Sequence, residues 1–248
     1  MSDPYAGMAD TYDIMVDWPA RLARERPFFA ELFREQRLER ALDIGCATGH
    51  HARTFAELGA HVVGIDPSEP LLDTARALTA GDNPRFVAGG FADLPALTER
   101  FDFVSVLGNT LAHVRHARGL HTALRNIATV LAPGGLLCMQ VLNYDRLLIE
   151  NSRWLPLVSR RRDDRDYLFL REHRIVRGKA EFTLITLTGE NGWQQHVERT
   201  THLPLTQDTL RLALQRVGFT RIDCYGSFQR ETYTPATSPN LVVLAQIL

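Results

Sequence analysis

Short apolar segments alternate with segments of helical periodicity through the first half of the chain. The apolar segments predict strands, and the periodic segments predict helices between them. This alternation is typical of βαβ units, which build a parallel sheet through right-handed crossovers. The predicted strands are the apolar run ending at Asp43, His61–Ile65, Arg85–Ala88, Phe101–Leu107 and Leu136–Leu142. The predicted helices are Ala20–Arg37, His50–Leu58, Pro70–Thr79 and Thr122–Leu131.

The pattern changes after Asn143, where the regular alternation stops. Glu181–Leu187 alternates polar and apolar residues, which is typical of a half-solvated antiparallel strand. We therefore expect an antiparallel insertion over residues 146–205 within a single domain of residues 1–248, with Arg160–Arg162 in a solvated loop. A helix from Thr206 to Val217 precedes an antiparallel pair of strands at the sheet edge. The insertion strands are Tyr167–Val176, Ala180–Thr188 and Gln195–Leu205, and the edge strands are Phe219–Tyr225 and Leu241–Ile247.

A glycine-rich turn follows the first predicted strand. The sequence A-L-D-I-G-C-A-T-G runs from Ala41 to Gly49 and leads into a helix. Glycines permit positive φ and a close approach of the backbone to a ligand, and the helix start presents free N–H groups. Gly45 and Gly49 are spaced G-x-x-x-G, whereas a dinucleotide site requires G-x-G-x-x-G. The spacing therefore disfavours a pyrophosphate ligand.

Two carboxylates end the first two predicted strands. Asp43 directly precedes the turn, where it would repel a pyrophosphate and suits a ligand that carries a cationic amine. Asp66 ends the second strand, H-V-V-G-I-D, where an acid can accept hydrogen bonds from both hydroxyls of a ribose. An amino acid joined to a nucleoside without phosphates satisfies these features, and S-adenosylmethionine is such a molecule.

Several motifs resemble the class I S-adenosylmethionine-dependent methyltransferases. These are L-D-I-G-C-A-T-G, G-I-D-P-S, L-G-N-T-L-A-H, P-G-G-L-L and N-Y-D, and together they are similar to glycine N-methyltransferase and its bacterial small-molecule relatives. The resemblance covers Asp43–Asp145 well and the insertion poorly. It implies an α/β, doubly wound (Rossmann-like) sheet of seven mostly parallel strands, with the antiparallel insertion after strand five. It also implies a methyltransferase that releases S-adenosylhomocysteine.

The residues expected to contact this cofactor follow the strand ends. In many relatives an acid that binds the adenine amino group occupies the place of Gly90, so we expect Phe91 and Ala92 to supply an apolar face and a backbone contact. Asp93 either substitutes for that acid or caps a turn. The expected cofactor-binding residues are Tyr12, Asp43, Gly45, Cys46, Ala47, Thr48, Gly49, Asp66, Pro67, Ser68, Gly90, Phe91, Ala92, Leu107 and Gly108.

The acceptor is expected beyond the fourth strand. Asn109 offers an amide oxygen and an NH₂ group to an incoming nucleophile, or is a turn residue. His113 is either a proton acceptor or a polar residue on the helix flank. The resemblance implies that an arginine of the insertion binds an amino-acid carboxylate, but the poor match leaves seven candidates. They are Arg153, Arg160, Arg161, Arg162, Arg165, Arg171 and Arg174.

The N-terminal segment contains a Tyr-Asp pair, Tyr12-Asp13. The resemblance implies that residues 1–37 form a helical lid over the cofactor and that Tyr12 contacts the cofactor. Alternatively, Tyr12 is an aromatic residue that anchors the N-terminal tail to the core.

Composition narrows the function classes further. The chain has 248 residues, 45% hydrophobic and 23% charged, with a formal net charge of −1, so nucleic acid is not an expected partner. It lacks both the apolar run of a membrane span and a secretory signal. Its three cysteines are odd in number and widely spaced, which indicates free thiols in the cytoplasm and no metal site. A monomer and a homodimer are both compatible with these data.

The chemistry requires mainly positioning, since the sulfonium is already activated and a neutral nucleophile must sit ~3–3.5 Å from the methyl carbon. An amine acceptor is expected. Methylation of oxygen, a non-catalytic protein that binds S-adenosylmethionine and regulates a partner, and a nicotinamide-dependent oxidoreductase remain alternatives.

Overall fold

The computed structural model describes residues 9–189 and 192–248, which form seven α-helices and twelve strands. Two short 3₁₀ helices, Leu94–Ala96 and Thr110–His113, lie among them. The helices are α1 (Ala9–Met15), α2 (Trp18–Gln36), α3 (His50–Glu57), α4 (Glu69–Ala77), α5 (Ala117–Val130), α6 (Tyr144–Glu150) and α7 (Gln207–Arg216). The strands are β1 (Arg40–Ile44), β2 (His61–Asp66), β3 (Arg85–Ala88), β4 (Phe101–Val106), β5 (Leu131–Leu142), β6 (Ser152–Trp154), β7 (Val158–Arg162), β8 (Arg165–Val176), β9 (Lys179–Gly189), β10 (Trp193–His202), β11 (Phe219–Tyr225) and β12 (Asn240–Ile247).

The central sheet has seven strands in the order β11-β12-β5-β4-β1-β2-β3. β12 is antiparallel to both of its neighbours, and the pairs from β5 to β3 are all parallel. This confirms the predicted doubly wound, mostly parallel sheet and the antiparallel pair at its edge. The strand order reverses between β1 and β4, and ligands of such sheets bind beyond the strand ends at this point.

Helix α2 is fixed beneath the sheet by aromatic packing. Phe29 and Phe33 are buried against Phe55 of α3 and Phe103 of β4, with ring centroids 5.0–6.2 Å apart. Asp17 caps the helix by accepting a hydrogen bond from the Ala20 N–H at 3.1 Å. This packing holds the first two turns of α2 beside the ends of β1 and β4.

The insertion forms a second, antiparallel sheet in the order β10-β9-β8-β6, with β7 also paired to β8. The hairpin between β8 and β9 turns at Arg177 and Gly178, which have φ of 51° and 73°, as a two-residue primed turn requires. Tyr167 and Phe169 of β8 pack in a small core with Ile14 of α1. The second sheet therefore lies against the N-terminal segment.

Four local predictions were wrong or incomplete. Arg160–Arg162 belongs to strand β7 and not to a solvated loop, because the arginines pair with β8 across a turn at Asp163 and Asp164. Helix α6 and strand β6 were not predicted. Helix α5 begins five residues before Thr122, where the His116 ring accepts a hydrogen bond from the Gly119 N–H at 2.9 Å. Strand β5 already begins at Leu131, so the Pro-Gly-Gly turn is a bulge within it.

Within the described ranges, the helices are all too short or too polar to cross a membrane.

Candidate functional site

The glycine-rich turn adopts the backbone that its sequence predicts. Gly45 and Gly49 have φ of 72° and 77°, and Ala47 between them also has a positive φ of 49°. A Cβ on Gly45 would lie 2.4 Å from Thr110 Cγ2, so only glycine fits between β1 and the start of the Thr110–His113 helix. Positive φ at a non-glycine residue is strained, and such residues are concentrated at ligand sites. The strained turn leaves the backbone of residues 45–47 facing the cleft.

Asp43 presents an unpaired carboxylate oxygen to this cleft. It is only 2% exposed, and its Oδ1 accepts a hydrogen bond from Ser105 Oγ at 2.7 Å. Its Oδ2 is buried without a hydrogen-bond partner among the described residues. Burial raises the pKa of this carboxyl, although His51, Ser105 and Arg21 oppose the rise. A buried carboxylate without a partner is costly, so a ligand ammonium is the partner that this oxygen fits.

A small cavity of about 30 Å³ joins Asp43 to the first turns of α2. Arg21 lines this cavity beside Gly108, and its guanidinium carbon lies 5.1 Å from the Trp18 ring centre. Its Nε donates to Glu25 Oε1 at 2.9 Å, and Glu25 Oε2 lies 2.6 Å from His51 Nε2. Among the described residues, this network does not use the terminal guanidinium nitrogens. A ligand ammonium would pair with Asp43 and a ligand carboxylate with Arg21.

Asp66 organises the neighbouring part of the cleft. Its two oxygens accept hydrogen bonds from the Ala47 N–H and the Ser68 N–H, both at 2.9 Å. A carboxylate has about four lone-pair sites and is the type of acceptor that two ribose hydroxyls require. Pro67, Leu71 and Phe91 provide apolar walls beyond it. This end of the cleft therefore fits a nucleoside.

Asp93 closes the turn before this wall. Its Oδ2 accepts a hydrogen bond from the Gly90 N–H at 2.8 Å, which favours the turn-cap interpretation over an adenine contact. Asn126 Nδ2 donates to the Phe91 carbonyl at 2.9 Å and holds the Phe91 backbone in place.

The N-terminal Tyr-Asp pair contacts the glycine-rich turn. Asp13 accepts hydrogen bonds from Thr48 Oγ1 at 2.7 Å and Trp18 Nε1 at 2.8 Å, and lies 3.3 Å from His50 Nε2. Burial favours the neutral acid, but the bonds to His50, Thr48 and Trp18 lower the pKa of Asp13. These contacts attach α1 across the cleft and place Tyr12 in its lining.

The side-chain amide of Asn109 is hydrogen-bonded to other residues of the chain. Its Oδ1 accepts from the Leu142 N–H at 3.1 Å, and its Nδ2 donates to Tyr144 Oη at 2.9 Å and lies 3.4 Å from His202 Nδ1. Its φ of 70° is that of a turn residue. The amide therefore orients Tyr144 and His202, and this arrangement differs from the expected direct offer of both amide groups to an acceptor.

Three imidazoles lie beyond Asn109. His113 packs edge-on against His202 with ring centroids 4.6 Å apart, and Phe182 stacks on His173 at 4.7 Å and on His202 at 6.0 Å. Burial lowers the pKa of His113 and His173 to about 4 and that of His202 to about 2, the last also through its histidine neighbours. His173 Nδ1 and His202 Nε2 are buried without hydrogen-bond partners in the part of the chain that the structure describes. The neutral rings thus offer polar atoms to a second ligand.

A single cavity of about 1360 Å³ connects these parts. Pockets for one small molecule usually measure ~300–1,000 Å³, so this cavity has room for a cofactor and a second ligand. Of the residues predicted from sequence, the cavity is lined by Tyr12, Gly45, Ala47, Asp66, Pro67, Gly90, Phe91, Gly108, Asn109 and His113. The small cavity is lined by Asp43, Cys46 and Leu107, together with several of these residues.

Four predicted cofactor residues line neither cavity. Thr48 is buried and bonded to Asp13, and Gly49 lies under the Phe86 ring. Ser68 supports Asp66 through its N–H, and Ala92 is exposed outside the cleft. These four residues contribute to the site by shaping the turns around it.

Sequence reasoning missed Arg21, Glu25, His51, His173 and His202, whereas Arg171 was one of the seven candidate arginines. Arg21 and Glu25 share one helix face with Trp18, and this spacing was the sequence signal that could have identified them. The histidines are brought together by strand pairing and carry no local signature.

The buried histidines make stability depend on pH. Their folded pKa values lie below the unfolded value of ~6.5, so the unfolded chain binds more protons and stability falls as pH drops from ~6.5 toward 4. We expect His202→Gln to reduce the loss of unfolding free energy between pH 7 and pH 5 by ~2 kcal/mol. Urea unfolding at both pH values measures this, with the exposed His121→Gln as a control. An unchanged pH dependence in His202→Gln would show that folding does not lower the pKa of His202.

The comparisons with known proteins agree with this site. Residues 41–135 match the family model of the methyltransferase domain. The glycine/sarcosine N-methyltransferase of Parasynechococcus marenigrum is 30% identical over 91% of this chain and 79% of its own length. A methyltransferase dependent on S-adenosylmethionine from Clostridium acetobutylicum has a TM-score of 0.78 at 14% identity, and the CcbJ methyltransferase of Streptomyces caelestis one of 0.77 at 22% identity. Each alignment covers 99% of both chains, which shows a shared fold.

Proposed function

Since the chain belongs to the class I S-adenosylmethionine-dependent methyltransferases, we propose that its acceptor is the amine of a small molecule. The observation that carries this proposal is the second half of the cavity, where neutral imidazoles and Arg171 surround space beyond Asn109. The glycine/sarcosine N-methyltransferases, to which the chain is similar over most of its length, are named for amine acceptors.

The cofactor, when bound, supplies a methyl group on a positively charged sulfur. The chain's own contribution is to bind and orient. Asp43 and Arg21 hold the amino-acid end, Asp66 holds the nucleoside, and α1 with Tyr12 excludes water from the cleft. We propose these contacts because the orphaned Asp43 oxygen and the Arg21 guanidinium face one small cavity.

We assign His113 the role of hydrogen-bond acceptor for the substrate amine. With a pKa of about 4, its ring stays neutral at pH 7 and does not repel an ammonium, but it retains a proton poorly. Water therefore carries the amine proton away. Asn109 acts as a positioning residue, because its amide fixes Tyr144 and His202.

Arg171 is the insertion arginine that we propose for binding an anionic group of the acceptor. It is the one of the seven candidates that lines the cavity, and its Nε is buried without a partner within the described ranges. Burial, with Arg160 nearby, lowers the pKa of its guanidinium, which indicates that an anion would stabilise it. Its Nη2 donates to the Pro156 carbonyl at 3.3 Å, which orients the group.

We expect Arg171→Ala to raise the KM for a carboxylate-bearing amine by ~10–100-fold while leaving its kcat nearly unchanged, because a charge-assisted bond contributes ~1.5–3 kcal/mol. Steady-state kinetics measure this, with exposed Arg174→Ala on the same strand as the control. An amine without a carboxylate should be unaffected. An equal change for both acceptors would remove Arg171 from acceptor recognition.

The function itself is tested by incubating the enzyme with S-adenosylmethionine and matched panels of amines, amino acids and alcohols. We expect a mass increase of one methyl group on an amine, together with S-adenosylhomocysteine. Methylation of hydroxyl compounds alone, or cofactor binding without turnover on any panel, would overturn the amine proposal.

We also propose that residues 1–37 act as a lid and residues 146–205 as a substrate flap, supported by the lining contributed from Tyr12, His173 and His202. Residues 1–8 of this lid and residues 190 and 191 of the flap lie outside the described residues. A cytoplasmic location is supported by the three cysteines, each of which is a free thiol. The net charge of −1 supports a small molecule over nucleic acid as partner.

A further inference from the structure

The second sheet presents an apolar surface away from the cofactor cleft. In the antiparallel register Leu168 lies opposite Leu187, and Ile185 lies opposite both Leu170 and Val197. Directly opposed residues point to the same side of a sheet, so these side chains form one continuous stripe. Trp154, paired with Glu172, and Trp193, paired with Gly189, lie on the same side. We call this surface the outer face: Trp154, Leu168, Leu170, Ile185, Leu187, Trp193 and Val197.

The two sides of the sheet differ sharply in burial. On the inner side Phe169 and Leu184 are at most 1% exposed and pack with Ile14 of α1. On the outer face every member remains partly accessible, and Trp154 and Trp193 are 55% and 57% exposed. An antiparallel sheet with one side in water normally alternates apolar-in and polar-out. The apolar outer face departs from that rule, and large exposed apolar patches mark interaction sites.

The size of the outer face fits a protein interface. Strands lie ~4.8 Å apart and rise ~3.4 Å per residue, so β8, β9 and β10 with β6 and β7 at their edge present roughly 650 Å². A stable interface of ordinary size buries ~800 Å² on each partner, so the outer face supplies most of that area. Tryptophan is enriched among residues that dominate binding energy.

The charges around the outer face suit a second copy of the same chain. Charges of both signs occur on this side at each end of the stripe, so a two-fold partner meets opposite charges and not a uniform field. The residues concerned are Arg161 and Asp166 at one end and Glu172, Arg174 and Glu181 at the other. An isologous contact requires this kind of self-complementary surface.

We propose that the chain forms a two-fold homodimer in which the outer faces of two copies pack sheet against sheet, ~10 Å apart.

Analytical ultracentrifugation of the full chain tests this proposal. The wild type should sediment at twice its 28.0 kDa mass. The double variant Leu170→Lys/Ile185→Glu places opposite charges across one strand pair, which preserves the sheet but buries charges in the interface. We expect a monomer with a dissociation constant at least ~100-fold higher. Leu212→Glu, which changes an apolar residue 54% exposed on α7, should remain a dimer.

Disulfide formation provides a test that does not depend on the charged variant folding. Single cysteines introduced at Leu168, Ile185 or Val197 should cross-link two copies under oxidation at one or more positions. A monomeric wild type, a double variant that remains dimeric, or a lack of cross-linking at all three positions would overturn the proposal. Cofactor binding measured by calorimetry should be unchanged in the double variant, which separates this result from the proposed function.

Discussion

The variant Asp66→Ala should bind S-adenosylmethionine ~10²–10³-fold more weakly than the wild type. Two ribose hydroxyls would lose a charged acceptor, and each such hydrogen bond contributes ~1.5–3 kcal/mol. The same carboxylate also fixes the glycine-rich turn through the Ala47 N–H and the start of α4 through the Ser68 N–H. Isothermal titration calorimetry with S-adenosylhomocysteine measures the loss without turnover.

A double-mutant cycle separates ribose binding from support of the turn. The second member is a cofactor analogue without the ribose 2′-hydroxyl, which the wild type should bind more weakly than the natural ligand. Asp66→Ala should bind both ligands with nearly equal affinity, because the group that distinguishes them is gone. If the analogue loses the same factor in both proteins, Asp66 does not contact the 2′-hydroxyl. Undiminished affinity of Asp66→Ala for the natural ligand would exclude the whole assignment.

Asp43→Asn should change stability and binding in opposite directions. The wild-type carboxylate is a buried charge with one oxygen that has no partner among the described residues, so a neutral amide should stabilise the ligand-free protein by ~1–3 kcal/mol through loss of that charge. The same change removes the charge that pairs with the cofactor ammonium, so affinity should fall by ~10–100-fold. Chemical denaturation without ligand, followed by calorimetry, measures both effects.

The raised pKa of Asp43 also determines the direction in which stability changes with pH. Because the folded pKa of Asp43 is raised by burial, the folded state binds more protons, and stability falls as pH rises from ~3.9 through the folded pKa. Asp43→Asn should lose this contribution. Ser105→Ala is the matched control, since it keeps the charge but removes the hydroxyl that donates to Oδ1, and it should destabilise the ligand-free protein. A destabilised Asp43→Asn variant with normal affinity would contradict the assignment.

The cofactor end of the site was predictable from sequence because its geometry is local. Asp43, Gly45 and Asp66 lie within one βαβ unit, where the end of each strand fixes the position of the residue that follows. The parallel arrangement of the first five strands followed from the same alternation, whereas the strand order was not predicted. Asp93 shows the limit of this reasoning, because only the contact with the Gly90 N–H in the folded chain distinguishes a turn cap from a ligand contact.

The acceptor end could not be predicted, because distant segments form it. His113 follows β4, whereas His173 and His202 lie on β8 and β10 and meet it only through pairing within the insertion. Asn109 was expected to face the substrate, but the Leu142 N–H and Tyr144 take up its amide. Strand β7 was hidden by its charged sequence, whose arginines point to solvent or pair with aspartates.

The central claim is that Asp43 and Asp66 bind opposite ends of one phosphate-free sulfonium nucleoside. A crystal structure with S-adenosylhomocysteine tests it most directly. We predict the ligand ammonium within hydrogen-bond distance of Asp43 Oδ2 and both ribose hydroxyls at the Asp66 carboxylate. A ligand bound in the reverse orientation, or outside the cleft between these two acids, would contradict it.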